Sequence, residues 1–308
     1  MNAVVPFDVD PVTGLLNALT RAGIVPSDPA AIVADGLVCR FHVEGDRRGA
    51  RNGWCVLHPD HGAAGHWRTG ARVTWSSRGD KPLTREQRRA LNAAMLEARR
   101  QRDAEQQAAH ERAAGQAAAW WKNARPADPG HRYLAAKGIP PGIAQQTGEE
   151  LILPLYDVDG RLWSLQRIAP DGSKRLLSGG AKRGRFIPVA GDPHEAAAVL
   201  IAEGFATTMS VHLLALVPGA AHVAAVDCGN LLPVAQAIRR PRPDVRIVIA
   251  ADDDRLMQGN PGLTAAREAA VAVGGEVLRP RWPHGAPLAL SDFNDLMLWQ
   301  QREGVRHG

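Results

Sequence analysis

The spacing of apolar residues divides the chain into segments with two different periods. Residues 36–78 alternate apolar and polar positions in short runs separated by glycines, which predicts a small β-rich module. From Thr84 to about Trp121 the composition changes to Ala, Arg, Gln and Glu, and this predicts one long helix. Because its apolar positions, such as Leu91 and Met95, are sparse, we expect the helix to be an exposed connector.

The C-terminal part alternates apolar runs with helical patterns. Four runs of strand-forming residues predict strands, each followed by a turn or a helix, at 197–202, 221–227, 245–250 and 276–280. Strands that are apolar throughout and separated by helices indicate a parallel sheet with helices on both faces. Ahead of them, residues 151–168 predict a β-hairpin with its turn at Asp157 to Gly160.

These patterns predict the fold class and the domain organisation. We expect an α/β protein in which a doubly wound parallel sheet follows a basic β-hairpin subdomain, a long helix and a small β-rich N-terminal module. The predicted boundaries are 1–80 for the module, 81–123 for the helical connector, 124–190 for the basic region and 191–308 for the sheet domain.

Charge divides the chain into a basic and an acidic part. Residues 1–190 hold 27 Lys and Arg against 19 Asp and Glu, whereas residues 191–308 hold 10 against 13. A basic surface beside an acidic pocket suits a protein that binds a polyanion and metal ions, although a solvated basic face gives the same count. The longest apolar run carries Glu203 and His212, which makes it a poor membrane span, so we expect a cytoplasmic protein without membrane contact.

Acidic residues follow two of the predicted strands directly. Glu203 comes after the strand at 197–202, and Asp252, Asp253 and Asp254 come after the strand at 245–250. Ligands of such sheets bind outside the carboxyl ends of the strands, so these carboxylates are expected to lie together and to stay charged. Asp252 and Asp254 leave the strand on the same side, which suits a hard cation such as Mg²⁺ or Mn²⁺, whereas a solvated turn is the alternative.

A Gly-rich segment at 173–186 is the candidate site for phosphate groups. Cationic side chains surround its Ser-Gly-Gly turn, and Arg167 on the preceding strand is expected to join them. We expect these side chains to bind nucleic acid or nucleotide: Arg167, Lys174, Arg175, Lys182, Arg183 and Arg185.

The three cysteines are unevenly spaced, which argues against a disulfide framework. Zinc needs about four ligands in tetrahedral geometry. Cys39, Cys55, His58 and His61 are the candidate set, but their spacing is irregular, so packed cysteines and surface histidines are the favoured interpretation.

The acidic elements of the C-terminal part resemble the signature of a known family. Together they resemble the Toprim signature shared by bacterial primases, type IA and type II topoisomerases and some nucleases: Glu203-Gly204, Asp252-x-Asp254 and Ser291-Asp292-Phe293-Asn294-Asp295. The wider pattern, over roughly residues 30–302, is similar to the primases of conjugative plasmids, integrative elements and prophages. It includes the segments "FHVEGDRRGARNGWCVLH" and "LILPLYDVDGRLWSLQRI".

The resemblance implies a DNA primase, a nucleotidyltransferase that makes short RNA primers on single-stranded DNA with two metal ions. Asp252 and Asp254 would be metal ligands, and Glu203 a further ligand or the general acid and base. Asp292 and Asp295 would complete the metal group. The basic residues would bind template phosphates or the triphosphate of the incoming ribonucleotide, and Trp163 and Phe186 are candidate surfaces for stacking unpaired bases.

Two other functions fit the same acids. A Toprim nuclease would break a phosphodiester, and a catalytically silent module would bind single-stranded DNA without Mg²⁺. A type IA topoisomerase is disfavoured, because the only tyrosines are Tyr133 and Tyr156 and neither lies in an extended cleavage domain. The chain has no Walker A motif, so a primase would work alone or beside a separate helicase. We also expect residues 36–78 to recognise the template.

Overall fold

A computed structural model describes residues 10–77, 79 and 84–307, without the side chains of the last four. The chain divides into two compact units, Met1–Gln106 and Gln107–Gly308. The predicted boundary at 80 falls at residues outside the described range, so it stays a prediction. No helix in the described part of the chain is both long and apolar enough to cross a lipid bilayer.

The described part of the first unit contains an N-terminal helix, a four-stranded antiparallel sheet in the order β1-β2-β3-β4 and the beginning of a long helix. Alternation along the strands gives the sheet two distinct faces, and one of them packs against the N-terminal helix through Leu15, Leu19, Cys55 and Leu57. The elements are α1 (Pro11–Arg21), β1 (Val38–Phe41), β2 (Gly53–Leu57), β3 (His61–His66) and β4 (Arg72–Ser76).

A single helix, α2 (Arg85–Asn123), runs through the boundary between the units. Thr84 and Gln87 form a capping box: the Gln87 backbone N–H donates to Thr84 Oγ1 at 3.2 Å, and the Thr84 N–H donates to Gln87 Oε1 at 3.0 Å. The expectation of an exposed connector is wrong for part of its length. Ala113 and Ala117 are buried against the first sheet of the second unit, because alanine lets the helix approach that sheet closely.

The second unit begins with a five-stranded antiparallel sheet in the order β5-β6-β7-β8-β9. Its central strands are buried on both sides, and Ile152 and Leu165 face α2 whereas Leu151 and Leu153 face the rest of the unit. The elements are β5 (Arg125–Pro126), α3 (Arg132–Lys137), β6 (Gln145–Thr147), β7 (Glu150–Tyr156), β8 (Leu162–Ile168) and β9 (Lys174–Leu176).

The second sheet of this unit has five strands in the order β10-β12-β11-β13-β14. Four are parallel, as predicted, and helices cover both faces. The edge strand β10 is antiparallel to β12, so residues assigned to the basic region also build this sheet. The elements are β10 (Ile187–Ala190), β11 (Ala198–Ala202), α4 (Phe205–Leu213), β12 (Ala220–Ala224), α5 (Leu231–Arg239), β13 (Arg246–Ala250), α6 (Pro261–Val273), β14 (Glu276–Leu278) and α7 (Phe293–His307).

His222 lies within β12 and is 3% exposed. Burial, followed by repulsion from the neighbouring His212 ring, lowers its pKa from 6.5 to about 4. The unfolded chain therefore binds an extra proton between these values, and stability falls as the pH drops from about 6.5 to about 4.

We expect the His222→Leu variant to lose less stability on acidification than the natural protein. The expected difference between pH 7 and pH 5 is on the order of 1–2 kcal/mol in the free energy of unfolding, measured by urea titration. The exposed His284 provides the control, because His284→Leu leaves the acid sensitivity unchanged. Equal acid sensitivity in both variants would contradict the prediction.

Candidate active site

Acidic residues converge at one edge of the parallel sheet. The register pairs Ala202 with Ala224 and with Ala250, so β11, β12 and β13 end level with one another. Glu203, Asp227 and Asp252 follow these three strands within a few residues and are all half-buried. Their carboxylates act on one another electrostatically, because Asp227 and Asp254 raise the pKa of Glu203 and Glu203 raises the pKa of Asp252.

Asp252 is the most strongly perturbed acid of this group. Burial first, then the charges of Glu203, Asp292 and Asp254, raise its pKa from 3.8 to about 8. Its Oδ1 atom is buried and has no hydrogen-bond partner. Burial and the neighbouring Asp227 also raise the pKa of Glu203. A buried, unpartnered carboxylate oxygen among other carboxylates is stabilised by a cation, so this position fits a metal ion.

Asp254 is held in place by the start of α6. Its Oδ2 atom accepts a hydrogen bond of 3.0 Å from the Gly262 backbone N–H, and a Cβ atom at Gly262 would lie 3.0 Å from both Asp254 Oδ2 and Asp252 Cβ. Glycine at this position therefore lets the helix end approach both acids. Asp253 has a different role, because its carboxylate accepts hydrogen bonds from Asn260 Nδ2 and from Trp282 Nε1.

The start of α7 contributes Asp292 to the group and places Asp295 one turn further along the helix. Asp292 contacts Thr207 Oγ1 through Oδ2 at 3.0 Å, and its charge raises the pKa of Asp252. Asp295 accepts a 2.9 Å hydrogen bond from the Ser291 N–H, and its own N–H donates to Asp292 Oδ1. Asp292 is therefore the N-cap residue of α7, and Asp295 holds the backbone ahead of the helix.

Lys174 is the cation that stands beside the acids. Its Nζ atom would lie 3.5 Å from a Cβ atom at Gly204, which directly follows Glu203. Loss of surrounding water, followed by repulsion from Lys137, lowers its pKa, and the charges of Glu203, Asp292 and Asp252 oppose this change. Lys174 pairs with Ile168 in the sheet, so alternation along β9 directs it to the same face as Ile168.

The loop at 182–185 carries three of the predicted cations and is fixed by Asn230. Lys182 Nζ lies 2.5 Å from Asp227 Oδ2. Asn230, which is 1% exposed, donates through Nδ2 to the carbonyls of Lys182, Arg185 and Ala225, and its Oδ1 accepts from the Gly184 N–H. This one side chain therefore joins the basic loop to the end of β12.

Asn230→Ala is expected to lower the free energy of unfolding by about 2–3 kcal/mol, because it leaves buried carbonyl groups without their donor. Asn230→Asp should cost at least as much, since it keeps the acceptor for Gly184 but replaces the donors by a buried charge. Urea titration of both variants provides the test. A loss below about 0.5 kcal/mol in each would contradict the bridging role of Asn230.

Other predicted binding residues lie elsewhere in the second unit. Arg167 pairs in register with Arg175, on the face opposite to Lys174, and forms an ion pair with Glu150. Arg175 is next to Lys174 in the sequence, but adjacent residues of a strand point to opposite faces of the sheet, so proximity in the sequence did not predict which face each side chain occupies. Arg183 is exposed, and the Arg185 guanidinium lies 4.8 Å from the Trp163 ring centroid.

The two candidate stacking residues are already packed within the protein. Trp163 is 7% exposed, has Arg161 over its ring at 4.0 Å, and donates through Nε1 to Asp157. Phe186 is 3% exposed and belongs to the core of the parallel sheet. Neither ring offers a free face to a base, so the stacking expectation is wrong for both.

The candidate zinc ligands do not come together. Cys39 and Cys55 are register partners in the β1–β2 pair, and the Cys39 thiol lies 3.0 Å from the Ala31 carbonyl. His58 and His61 stack on each other at the β2–β3 turn, three residues or about 10 Å further along the strand from Cys55. Within the described residues no group of three His, Cys, Asp or Glu side chains is arranged to hold a metal ion, so the zinc hypothesis receives no support.

The acidic group likewise does not converge on a single metal position in the described residues. The residues with the right chemistry to hold a cation are Glu203, Asp252 and Asp254. Asp227 was missed because the predicted strand extended through residue 227, whereas β12 ends at Ala224; with that strand end, the rule that found Glu203 and Asp252 also finds Asp227. Asn230 gave no sequence signal, since its role depends on carbonyl groups distant in the chain.

The fold and the site define a class: an open α/β domain with acidic side chains grouped at the carboxyl ends of its parallel strands. Residues 198–303 match the family model of the Toprim domain. The "DNA primase TraC" of Escherichia coli is 38% identical over 267 residues, which are 82% of this chain and 25% of that protein. A second E. coli protein of that name is 37% identical over 260 residues, which are 80% of this chain and 18% of that protein.

These matches confirm the resemblance: residues 198–303 form a Toprim domain, and the chain is similar to DNA primases of the conjugative-plasmid type. It spans about a quarter or less of the length of these two relatives. Among solved structures, the primase fragment of the bacteriophage T7 primase-helicase protein aligns over 60% of this chain and 78% of its own, with 15% identity and a TM-score of 0.39.

Proposed function

We propose that this chain makes short RNA primers on single-stranded DNA by nucleotidyl transfer from ribonucleoside triphosphates. The observation that carries the proposal is the group of half-buried carboxylates at one sheet edge, with Lys174 beside it. It is supported by the two relatives, which bear the name DNA primase. Primer synthesis joins a 3′-hydroxyl oxygen to the α-phosphorus of a ribonucleoside triphosphate and releases pyrophosphate, so the triphosphate and the leaving group bring negative charge to this edge.

The divalent cation of the proposed reaction is Mg²⁺ or Mn²⁺. Its ligands are Glu203, Asp252 and Asp254, with Asp292 and the newly found Asp227 at the margin of the group. Bound there, the cation would lower the pKa of the attacking hydroxyl and neutralise charge on the leaving pyrophosphate. Asp254 is oriented for this role by the Gly262 N–H. Glu203, whose pKa is raised, would serve as a further ligand or as an acid and base group.

The proposed contacts to phosphate are fewer than the sequence indicated. Lys174 and the loop residues Lys182, Arg183 and Arg185 would neutralise the triphosphate or the template backbone. Arg167 and Arg175 are not included, because they lie on the other face of their sheet.

The partners of the proposed activity follow from its chemistry. They are a single-stranded DNA template and ribonucleoside triphosphates, together with a separate helicase that supplies the single strand. We propose that the chain acts in the cytoplasm, where the DNA is accessible, in the replication of a mobile genetic element.

The proposal is tested by incubating the protein with single-stranded DNA, labelled ribonucleotides and Mg²⁺ or Mn²⁺. We expect short labelled RNA that depends on the template, disappears with EDTA and disappears in Glu203→Gln. Glu268→Gln is the matched control, since Glu268 is exposed on α6. Shortened template without RNA would replace the proposal by a nuclease, and metal-independent binding without any product would replace it by a silent binding module.

A further inference from the structure

The N-terminal unit has a groove on the sheet face opposite to α1. The face is formed by alternate residues of the strands, including Trp54, Ala63 and Thr74, and the first half of α2 forms the other wall. The groove has a volume of about 800 Å³. The part of α2 in this wall, which the sequence presented as a connector, contributes one helix face: Arg88, Leu91, Asn92, Met95, Leu96, Arg99 and Arg102.

Two tryptophans form the aromatic part of the groove. The ring centroids of Trp54 and Trp67 are 5.5 Å apart, and Trp67 is 37% exposed. Trp54 is 4% exposed and packs closely on Gly65, where a Cβ atom would lie 2.9 Å from the indole, so Trp67 carries the accessible ring. Arg102 stands over the Trp67 ring at 4.9 Å. Tryptophan and arginine planes of this kind are surfaces on which unpaired bases stack.

The charge of the groove is positive along its whole length. Arg72, Arg88, Arg99 and Arg102 line it, and none of the described lining residues is acidic. Arg40, on the same sheet face, has a buried Nε atom without a hydrogen-bond partner. Burial, then the charges of Arg102 and Arg51, lowers the pKa of Arg40, so these cations repel one another.

The dimensions fit a strand of nucleic acid. Arg88 and Arg102 are separated by 14 residues of helix, which corresponds to about 21 Å. Cations spaced over this length can follow several phosphates of a backbone, whereas a single nucleotide would reach only part of the wall.

We propose that this groove binds single-stranded DNA, with unpaired bases against the exposed Trp67 and backbone phosphates along the arginines of α2. The site lies within the first unit and contains no metal ligand, so it acts independently of the acidic residues and of the proposed chemistry. It also gives the N-terminal module a specific surface for the template recognition that was expected of residues 36–78.

The test measures binding of the full chain to a fluorescently labelled 12-nucleotide thymidine oligomer by anisotropy, in EDTA and without ribonucleotides. We expect the double variant Arg88→Ala, Arg99→Ala to bind about 10-fold more weakly or worse and to have a smaller dependence on salt. The matched control is Arg89→Ala, Arg100→Ala, which removes the same charge from exposed positions of the same helix outside the groove. It should change affinity less than about threefold.

A second variant tests the aromatic part separately. Trp67→Leu keeps the charge of the groove and should weaken binding by about fivefold or more, because stacking on an aromatic ring is lost. Equal effects of the two arginine pairs, an unchanged affinity in Trp67→Leu, or stronger binding of duplex DNA or of an RNA oligomer would each overturn the proposal. Because the assay contains no metal or ribonucleotide, failure of primer synthesis would leave its outcome unaffected.

Discussion

Asp252→Asn is expected to abolish primer synthesis and at the same time to stabilise the protein. The loss of activity should be at least about 100-fold, because the variant removes a charged oxygen ligand from the centre of the acidic group. The same substitution should raise the free energy of unfolding. In the folded protein the pKa of Asp252 is raised to about 8, so keeping it ionised costs free energy that the unfolded chain does not require.

The pH dependence of this gain distinguishes it from a general effect of the substitution. Below about pH 3.8 the carboxyl is protonated in both states, and the penalty is absent. The penalty grows as the pH rises toward 8, so the advantage of Asn over Asp in the free energy of unfolding should reach on the order of 2 kcal/mol near pH 8. Urea titrations from about pH 5 to about pH 9 measure it. Asp244→Asn, at an exposed position, is the control, and a destabilised Asp252→Asn protein would contradict the prediction.

Lys174→Ala is expected to lower kcat/KM for primer synthesis by about 30-fold, whereas Arg175→Ala should change it less than about threefold. The two residues are adjacent in β9, but alternation directs Lys174 toward the acidic group and Arg175 to the opposite face. Lys174 is the cation whose ammonium interacts with Glu203, Asp252 and Asp292.

Steady-state rates with varied ribonucleotide concentration measure the effect of both variants. Removing Lys174 also removes a positive charge beside Asp252, so the pH profile of the remaining activity should shift to higher pH. Equal losses in Lys174→Ala and Arg175→Ala would contradict the assignment, since general electrostatic attraction would then account for both.

Much of the fold was predictable because apolar strands and amphipathic helices leave local patterns. The strand–helix alternation of the C-terminal part was predicted to within a few residues, and the acids beside it follow the rule for strand ends. The antiparallel edge strand β10 was not predicted, because Ile187–Ala190 is short and takes its place through pairing with β12, which is distant in sequence.

The candidate site was only partly predictable for a similar reason. Glu203 and Asp252 were found because they follow buried strands, whereas Asp227 was missed because the predicted strand extended through it. The basic residues were chosen by composition, which does not say which face of a strand they occupy. Only the register of β9 shows that Lys174 faces the acidic group and that Arg175 lies on the opposite face. The groove along α2 escaped notice because its wall depends on residues contributed by three strands and a helix.

If the acidic residues at the sheet edge bind a divalent cation, as proposed, titration with Mn²⁺ should detect the binding. The signal of free Mn²⁺ in electron paramagnetic resonance reports how much metal the protein binds, and addition of Mg²⁺ should release it. We expect saturable Mn²⁺ binding by the natural protein and by Asp244→Asn. Glu203→Gln and Asp252→Asn should both lose this binding. Mn²⁺ binding that is equal in all four proteins would contradict the proposal.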